Sequence, residues 1–308
     1  MKRAVLFLAV VAVVAAFGVG GDARQNPRGL IYETFDVPGA DATNVSVIND
    51  AGDIAGSYSL DGKEHGFLLR QGQLQTIDGP EPTTFSTLIH GISASGEVVG
   101  QYRYAGTCPD CPPWVSTLII RGFAWKAGVL DVIHVPGASY TISGSVNAGG
   151  AIVGEYWAGG RCLGFYYKDG AFSTVDMAED PADPMSWSAA YGLNAQGDVA
   201  GWYGNGATFI MHGYVLSKGR KTTIDVPGFT WVTAGAINDQ REVIVNAYEN
   251  WAVKANYIWK DGSLVTEIRV PGAACAACTV AYGINNRGDV VGQYWTADYK
   301  GHGFIAHR

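Results

Sequence analysis

The sequence predicts an all-β fold, and three observations support this expectation. Glycine is abundant, with 42 residues among 308, which is roughly twice its usual share of about 7%. Apolar residues make up 47% of the chain and charged residues only 16%, a balance that excludes a disordered chain. A ten-residue turn motif recurs six times, and no stretch is rich in strong helix formers. We therefore expect many short strands joined by tight turns.

The beginning of the chain has the pattern of an export signal. Lys2 and Arg3 precede an apolar run over residues 4–17, which is shorter than the about 20 residues of a membrane-spanning helix. Small residues then offer a cleavage position after Ala23. We expect residues 1–23 to be a signal peptide and residues 24–308 to form a single domain. The mature protein is expected to be secreted or periplasmic in a bacterium, without membrane insertion.

The charge of the chain argues against a nucleic-acid partner. The formal net charge is -7, from 21 Lys and Arg against 28 Asp and Glu, and no run of basic residues occurs. Proteins that bind nucleic acids neutralise phosphates with clustered Lys and Arg side chains. No nucleic-acid binding is therefore expected.

The recurring motif reads Gly-Ile-Asn-x-x-Gly-Asp-Val-Val-Gly in consensus. Its turn glycines are assigned to Gly52, Gly96, Gly149, Gly197 and Gly288, with Arg241 in the fifth copy, at spacings of 44 to 53 residues. Each copy is followed by a segment related to His-Gly-Phe, and the first five by one related to Ile-Asp-Val-Pro-Gly. The motif therefore defines a repeating unit rather than an isolated turn.

Each unit predicts four strands in order. The first strand ends at the Asn, and the following Gly suits the left-handed position of a hairpin turn. The second strand is the Val-Val-Gly-x-Tyr run, and the third begins at His-Gly-Phe. The fourth ends at Asp-Val-Pro-Gly, where Pro and Gly suit the central positions of a type II turn. Four strands in about 47 residues is the size of one β-propeller blade.

The two ends of the chain predict how the repeats close. The sixth copy ends at Arg308 without a fourth strand, whereas residues 31–39 form a fourth strand without the preceding three. Pairing these two segments would complete the last unit and hide both sheet edges, which otherwise invite aggregation. We therefore expect a six-bladed β-propeller of four-stranded blades, closed by the N-terminal strand. An open β-solenoid of the same repeats is the alternative, and it would expose two terminal edges.

The repeat resembles that of the bacterial extracellular HAF-repeat proteins, from Thr34 to Phe304. The resemblance rests on the turn motif, on four Val-Pro-Gly segments and on the His-Gly-Phe segments that begin at His65 and His302. It implies secretion and a propeller-like repeat, and it implies no activity, cofactor or catalytic residue. The fifth copy departs from the pattern, with Arg241 at the turn and Ala255-Asn256-Tyr257 in place of His-Gly-Phe, so we expect that unit to be distorted.

Aromatic residues mark a candidate binding face. In four-stranded units of this order, the loops after the second and fourth strands share one face, here called the upper face. Aromatic side chains expected there suit stacking on flat apolar ligand faces, such as those of sugars, and packing between blades is the alternative. The candidate ligand contacts are Tyr140, Trp187 and Trp231 at the ends of first strands, Trp157, Trp251 and Trp295 in loops after second strands, and His90 on a first strand.

The five cysteines divide into two close pairs and one single residue. Cys108 and Cys111 form one C-x-x-C pair, and Cys275 and Cys278 form the other. Local disulfides are expected because the chain is predicted to be exported, and a four-cysteine zinc site is the alternative. Cys162 is left without an assigned partner.

The sequence contains no recognisable catalytic motif, and it predicts no cofactor and no metal site. His65, His212 and His302 begin third strands in different units and are expected to be too far apart to share a metal ion. The predicted function is therefore a binding module whose ligand is a glycan or a protein. One alternative is a glycan hydrolase or lyase that uses Glu155, Glu249 or Asp298, and such an enzyme needs two carboxyl groups roughly 5 to 10 Å apart. The other is a structural envelope component. The sequence gives no expectation for the oligomeric state.

Overall fold

All regular structure in the described part of the computed structural model is β-strand. The structure describes residues 29–108, 117–275 and 277–308, and no helix occurs in these ranges. In chain order the strands are β1 (Ile31–Phe35), β2 (Ala42–Ile48), β3 (Ile54–Leu60), β4 (Lys63–Arg70), β5 (Gln73–Ile77), β6 (Thr84–Ile92), β7 (Val98–Ala105), β8 (Leu118–Lys126), β9 (Val129–Ile133), β10 (Tyr140–Val146), β11 (Ile152–Ala158), β12 (Arg161–Lys168), β13 (Ala171–Val175), β14 (Ser186–Leu193), β15 (Val199–Asn205), β16 (Ile210–Ser217), β17 (Arg220–Ile224), β18 (Trp231–Ile237), β19 (Val243–Glu249), β20 (Ala252–Lys260), β21 (Ser263–Glu267), β22 (Thr279–Ile284), β23 (Val290–Trp295) and β24 (Gly301–His307).

The all-β prediction is confirmed. Within the described ranges, no helix is long and apolar enough to cross a membrane. The predicted signal peptide, residues 1–23, lies outside the described residues.

The strands pair antiparallel in consecutive groups of four, which we call units. The first five units are β2–β5, β6–β9, β10–β13, β14–β17 and β18–β21. Single parallel bridges, Glu64 with Ser86 and Met211 with Trp231, join the first unit to the second and the fourth to the fifth. The remaining strands, β22–β24, pair with β1.

The N-terminal strand β1 occupies the fourth position of the last unit. It runs antiparallel to β24, from Ile31 opposite His307 to Phe35 opposite Gly303. Strand β2 of the first unit packs in turn against β22, β23 and β24 of the last. The number of blades and the closure of a ring are inferred below from these contacts.

Side-chain pairs repeated within the units also place β1 in the last one. In the first unit Tyr58 bonds to Thr76 at 3.1 Å between hydroxyl oxygens, and His65 Nδ1 lies 2.9 Å from the Asp78 carboxylate. The last unit makes the same two contacts with partners from the N-terminal segment. The Thr34 and Tyr294 hydroxyls are 2.8 Å apart, and His302 Nδ1 lies 2.9 Å from an Asp36 carboxylate oxygen. The recurrent Asp therefore pairs with the recurrent His, a partnership that sequence reasoning missed.

The glycine of the Val-Val-Gly segment is required by a close backbone approach. A Cβ atom on Gly56 would lie 1.9 Å from the carbonyl oxygen of Asn44, and one on Gly292 would lie 2.1 Å from that of Val280. Only glycine allows the first and second strands of the unit to meet at this distance. The fifth unit carries Val245 instead, and its pairing shows additional register shifts, as expected for the departing copy.

The hairpin turns form a hydrogen-bonded network that we call the lower ring. Asn285 Oδ1 accepts bonds from the backbone N–H groups of Arg287 and Asp289, both at 3.0 Å, and its amide nitrogen donates across to Asn49 O at 3.2 Å. The same kind of bond links most neighbouring units. The donor and acceptor residues are Asn49 to Ser93, Asn147 to Asn194, Asn194 to Asn238, Asn238 to Asn285 and Asn285 to Asn49.

The turns also correct one glycine assignment. Arg241 has a φ of 58°, so a non-glycine residue occupies the left-handed position in the fifth copy. In the third copy this position belongs to Gly150, with a φ of 73°, and not to Gly149. The prediction was off by one because the two glycines are adjacent, and Asn147 fixes the turn through its bond to Ala151 N.

Candidate functional site

The first strand of each unit carries a β-bulge at the same position, three residues before the lower ring. The pairing with the second strand skips Ser46, His90, Gly144, Tyr191, Gly235 with Ala236, and Tyr282. A bulge re-aims the side chain of the extra residue. In unit order, small and large side chains alternate at this position: Ser46, His90, Gly144, Tyr191, Gly235 and Tyr282.

These bulge residues line one cavity, which we call the central cavity. Its volume is about 640 Å³, and all six first strands contribute to its wall. The residues just before the lower ring surround it with aliphatic side chains: Ile48, Ile92, Val146, Leu193, Ile237 and Ile284. Small-molecule sites commonly have volumes of about 300 to 1,000 Å³. The central cavity is therefore large enough for a ligand.

One side of the cavity is aromatic. Trp231 stacks on Tyr248 with ring centroids 4.9 Å apart. Trp251 contacts Trp231 edge-on, with ring centroids 4.8 Å apart. Phe209 meets Trp251 edge-on at 5.2 Å. Besides the bulge residue Tyr191, the fourth and fifth units contribute six lining aromatics that we call the aromatic wall: Trp187, Trp202, Phe209, Trp231, Tyr248 and Trp251.

Two residues of the aromatic wall have strained backbones. Phe209 and Trp251 have φ angles of 53° and 65°, a left-handed conformation that is unusual for bulky side chains. Trp251 is also 71% exposed, so burial does not account for its conformation. Strain of this kind concentrates at binding and switch regions. Tyr299 has the same conformation in the corresponding loop of the last unit without lining the cavity, so the strain accompanies the site and does not identify it.

The seven aromatic and histidine candidates divide into two groups in the structure. Trp187, Trp231, Trp251 and His90 line the central cavity. Tyr140 and Trp157 are buried and stack on each other with centroids 6.3 Å apart, so they pack within the third unit. Trp295 is half-buried and is not among the residues that line the cavity. The ligand contacts themselves stay a prediction.

Four polar atoms of the cavity residues are buried without a hydrogen-bond partner in the described part of the chain. They are Asn44 Oδ1, His90 Nε2, Trp187 Nε1 and Asn246 Oδ1. In folded proteins the large majority of buried polar atoms are paired with protein or ordered water. These are four of the eight unpaired buried side-chain atoms in the described chain, and a bound molecule would complete their hydrogen bonding if the side chains turned toward the cavity. Sequence reasoning missed both asparagines, which occupy variable positions of the repeat.

His90 is the one histidine among the described residues of the cavity wall. Burial and, to a lesser extent, the nearby Arg103 guanidinium lower the pKa of His90 to about 4. Its imidazole is therefore neutral at pH 7 and can accept or donate one bond at Nε2. No Asp, Glu, Lys or Arg is among the described residues that line the cavity.

Glu155 lies behind the wall and bonds to a residue of the cavity. Its carboxyl group is hydrogen-bonded to Tyr191, which lines the cavity, and lies 3.7 Å from the Cys162 thiol. Burial raises the pKa of Glu155, and it also raises the pKa values of Tyr191 and Cys162. The equivalent Asn246 bridges to the next unit in the same way, through a 3.1 Å bond to Ala281 O. Glu155 therefore holds two units together.

The other two candidate acids lie outside the cavity wall. Glu249 is exposed, 4.0 Å from the Lys254 ammonium, and Asp298 is exposed and bonded to the Thr296 hydroxyl. Neither residue, nor Glu155, is among those lining the cavity.

The cysteines match the disulfide prediction where they are described. Cys275 and Cys278 are disulfide-bonded, so they are not free to act as zinc ligands. Cys111, in the other predicted pair, lies outside the described residues. Cys162 is buried with a free thiol. Over the described ranges, no group of three or more His, Cys, Asp or Glu side chains is arranged to hold a metal ion.

Comparison with known proteins gives weak likenesses. No family model and no curated protein matches the sequence. The β-propeller domain of the Trilobed protease from Pyrococcus furiosus is similar at a TM-score of 0.44 and 13% identity, over 87% of this chain and 94% of that chain. A triple arginine-to-alanine mutant of AofleA from Arthrobotrys oligospora has the same TM-score and identity, over 92% and 85%. TolB from Acinetobacter baumannii has a TM-score of 0.44 at 10% identity, over 87% of this chain and 64% of that chain. At this similarity neither a family nor an activity follows.

Proposed function

We propose that this chain is a closed six-bladed β-propeller that acts as a binding module. Three observations support the architecture: the six units of four strands, the pairing of β1 with β24, and the packing of β2 against the last unit. The lower ring adds a bond from Asn285 to Asn49 across the same junction. Kinship with the HAF-repeat proteins is part of the proposal and rests on the repeat pattern alone.

The proposed location is outside the cytoplasm. The basic and apolar pattern of residues 1–23 supports export, and the Cys275–Cys278 disulfide suits an oxidising compartment. A ligand would then be a molecule present in the periplasm or outside the cell, a glycan or a protein.

The central cavity carries the functional proposal. It combines an aromatic wall with four unpaired polar atoms, and small-molecule sites pair apolar lining with a few placed polar groups in this way. The ligand enters at the upper face, where Trp251 is exposed at the rim, and packs against Trp231. Glycan hydrolysis is less well supported, because it requires two carboxyl groups that flank the reacting bond. No Asp or Glu is among the described residues that line the cavity.

The test is a ligand screen with a matched pair of variants. Wild-type protein is screened by thermal shift and tryptophan fluorescence against oligosaccharides and peptides, together with Trp251→Ala and Tyr299→Ala. Tyr299 is a suitable control because it is 92% exposed, has a φ of 63° in the corresponding loop of the last unit, and does not line the cavity. We expect Trp251→Ala to weaken binding at least about tenfold and Tyr299→Ala to leave it unchanged. Equal binding by both variants, or no binding by the wild type, contradicts the proposal.

A further inference from the structure

We propose that the central cavity selects an uncharged, hydroxyl-rich ring, as in a neutral oligosaccharide, and discriminates against acidic and amino sugars. The inference rests on the proposed function and specifies the ligand of that same site. Three properties of the cavity support it: the charge of its lining, the roles of its unpaired polar atoms and the position of its aromatic wall.

The charge of the lining favours a neutral ligand. The described wall contains no Asp, Glu, Lys or Arg, and His90 is neutral at pH 7 because its pKa is lowered to about 4. An ionised ligand group placed there would lose its water without gaining a counter-charge, which is strongly unfavourable. A carboxylate of a uronic acid or a protonated amine of an amino sugar is therefore rejected.

The unpaired atoms favour hydroxyl groups. Asn44 Oδ1 and Asn246 Oδ1 can only accept hydrogen bonds, whereas Trp187 Nε1 can only donate. The amide orientation of Asn246 is set by the bond from its nitrogen to Ala281 O, which leaves the oxygen as the unpaired atom. A hydroxyl group both donates and accepts, so a polyol can satisfy all three side chains. A ligand that only accepts would leave both amide oxygens unpaired.

The aromatic wall favours a ring with an apolar face. Asn44 and Asn246 lie on first- and fifth-unit strands, while Trp187 and Trp231 come from the fourth and fifth units. Polar partners and a stacking surface thus border the same space. A sugar ring presents C–H groups on its faces and hydroxyls at its edge, and it can use both kinds of surface at once.

The first experiment compares matched sugars. Wild-type protein is titrated by calorimetry at pH 6 with neutral gluco- and manno-oligosaccharides and with galacturonate and glucosamine oligomers of equal length. We expect binding of a neutral oligomer, with the charged oligomers at least about tenfold weaker. A charged oligomer that binds as tightly as the neutral ones, or failure of every neutral oligomer to bind, overturns the inference.

The same variants separate this inference from the proposed function. If a charged oligomer or a peptide binds and Trp251→Ala abolishes that binding, the cavity is still the site and only the preference for neutral sugars is wrong. If Trp251→Ala leaves all binding unchanged, the site itself is elsewhere and the proposed function fails as well.

A charge-change variant tests the cause of the selectivity. Asn44→Asp places a carboxylate of almost the same shape in the cavity, and Gln73→Glu adds the same charge on exposed residue 73 of strand β5. We expect Asn44→Asp to reduce the preference for neutral over amino oligomers at least about tenfold and Gln73→Glu to leave it unchanged. Should Asn44→Asp not fold, Asn44→Ala is used, because Asn44 Oδ1 has no partner within the described chain. Asn44→Ala should weaken binding of the neutral oligomer about tenfold, and unchanged binding overturns the role assigned to Asn44.

Discussion

The two ends of the repeating units, one at the lower ring and the other at the central cavity, differ in how completely their polar groups are satisfied. In the lower ring, the Asn285 side chain bonds to two backbone N–H groups, to Asp289 and to Asn49 in the next unit. In the central cavity, Asn44 Oδ1 and Asn246 Oδ1 have no partner in the described chain. The repeated ends are therefore built to hold the units together. The varied ends leave hydrogen-bonding capacity for something else.

The two ends also differ in the backbone. The lower turns place glycine at the left-handed position in most units, for example Gly52 with a φ of 85°. At the upper rim, Phe209 and Trp251 adopt left-handed conformations despite their bulk. Non-glycine residues also adopt left-handed conformations at the regular turns between third and fourth strands, for example Ala127 and Asp169, both with a φ of 50°. The upper loops therefore differ from the lower turns in the bulk of the left-handed residue, and not in the presence of backbone strain.

The largest expected effect concerns the strand that completes the last unit. Tyr32 on β1 is buried, its ring lies 5.8 Å from that of Phe304, and its hydroxyl accepts a bond from Arg269 N. Tyr32→Ala should lower the free energy of unfolding by about 3 to 5 kcal/mol, because it removes a large buried ring. Ile31→Ala, on the exposed face of the same strand, should cost less than about 1 kcal/mol. Urea denaturation measures both, and similar small losses would show that β1 contributes little to the fold.

The next effect compares one asparagine from each end. Asn285→Ala leaves several buried partners unsatisfied and should cost about 2 to 3 kcal/mol. Asn44→Ala should change stability by less than about 0.5 kcal/mol, since Asn44 Oδ1 has no bond to lose in the described chain. Urea denaturation measures the unfolding free energy of both variants. Equal losses in the two variants would remove the distinction between the two ends.

Titration of His90 is expected to make the free energy of unfolding depend on pH by about 2 kcal/mol. Its pKa is lowered from 6.5 to about 4 in the folded protein, mainly by burial and further by Arg103. Between these values the unfolded chain binds a proton that the folded chain does not, so stability is lost as pH falls from about 6.5 to about 4.

The matched variant isolates this effect from other titrating groups. As pH falls from about 6.5 to about 4, the wild type should lose unfolding free energy relative to His90→Gln. Above about pH 7 the difference between the two proteins should be constant. A difference that does not vary with pH would mean that His90 titrates normally.

The smallest effect on stability is at the rim. Trp251→Gly removes a mostly exposed side chain and relieves a left-handed backbone, so stability should stay the same or rise by up to about 1 kcal/mol. Ligand binding should fall, which would make this substitution a trade of function for stability. Tyr299→Gly is the control and should relieve similar strain without affecting binding. A marked loss of stability in Trp251→Gly alone would assign Trp251 a structural role instead.

Much of the scaffold can be predicted from the sequence because its determinants are local and repeated. The Asn-x-x-Gly turns and the close-approach glycines recur at fixed positions, and each corresponds to a specific backbone contact. The strand at residues 31–35 was predictable because it matches the fourth strand that the last unit lacks. The His–Asp pairing could also have been found, since His65 with Asp78 and His212 with Asp225 are both 13 residues apart.

The candidate site is predicted less completely because it depends on where a side chain points. Position along the strand was enough to find Trp187, Trp231 and His90. It failed to distinguish Tyr140, whose ring turns onto Trp157 of the adjacent strand and is buried there. The direction of the bulge residues follows from a register shift between two strands, and such a shift has no signature in one strand alone.

The most direct test of the account is a crystal structure of the protein with the tightest-binding neutral oligosaccharide from the titration. We predict a sugar ring in the central cavity against Trp231, with hydroxyl groups within about 3 Å of Asn44 Oδ1 and Asn246 Oδ1. A sugar bound on the outer strands or on the lower ring, with the cavity filled only by water, would contradict the assignment of the varied strand ends to ligand binding.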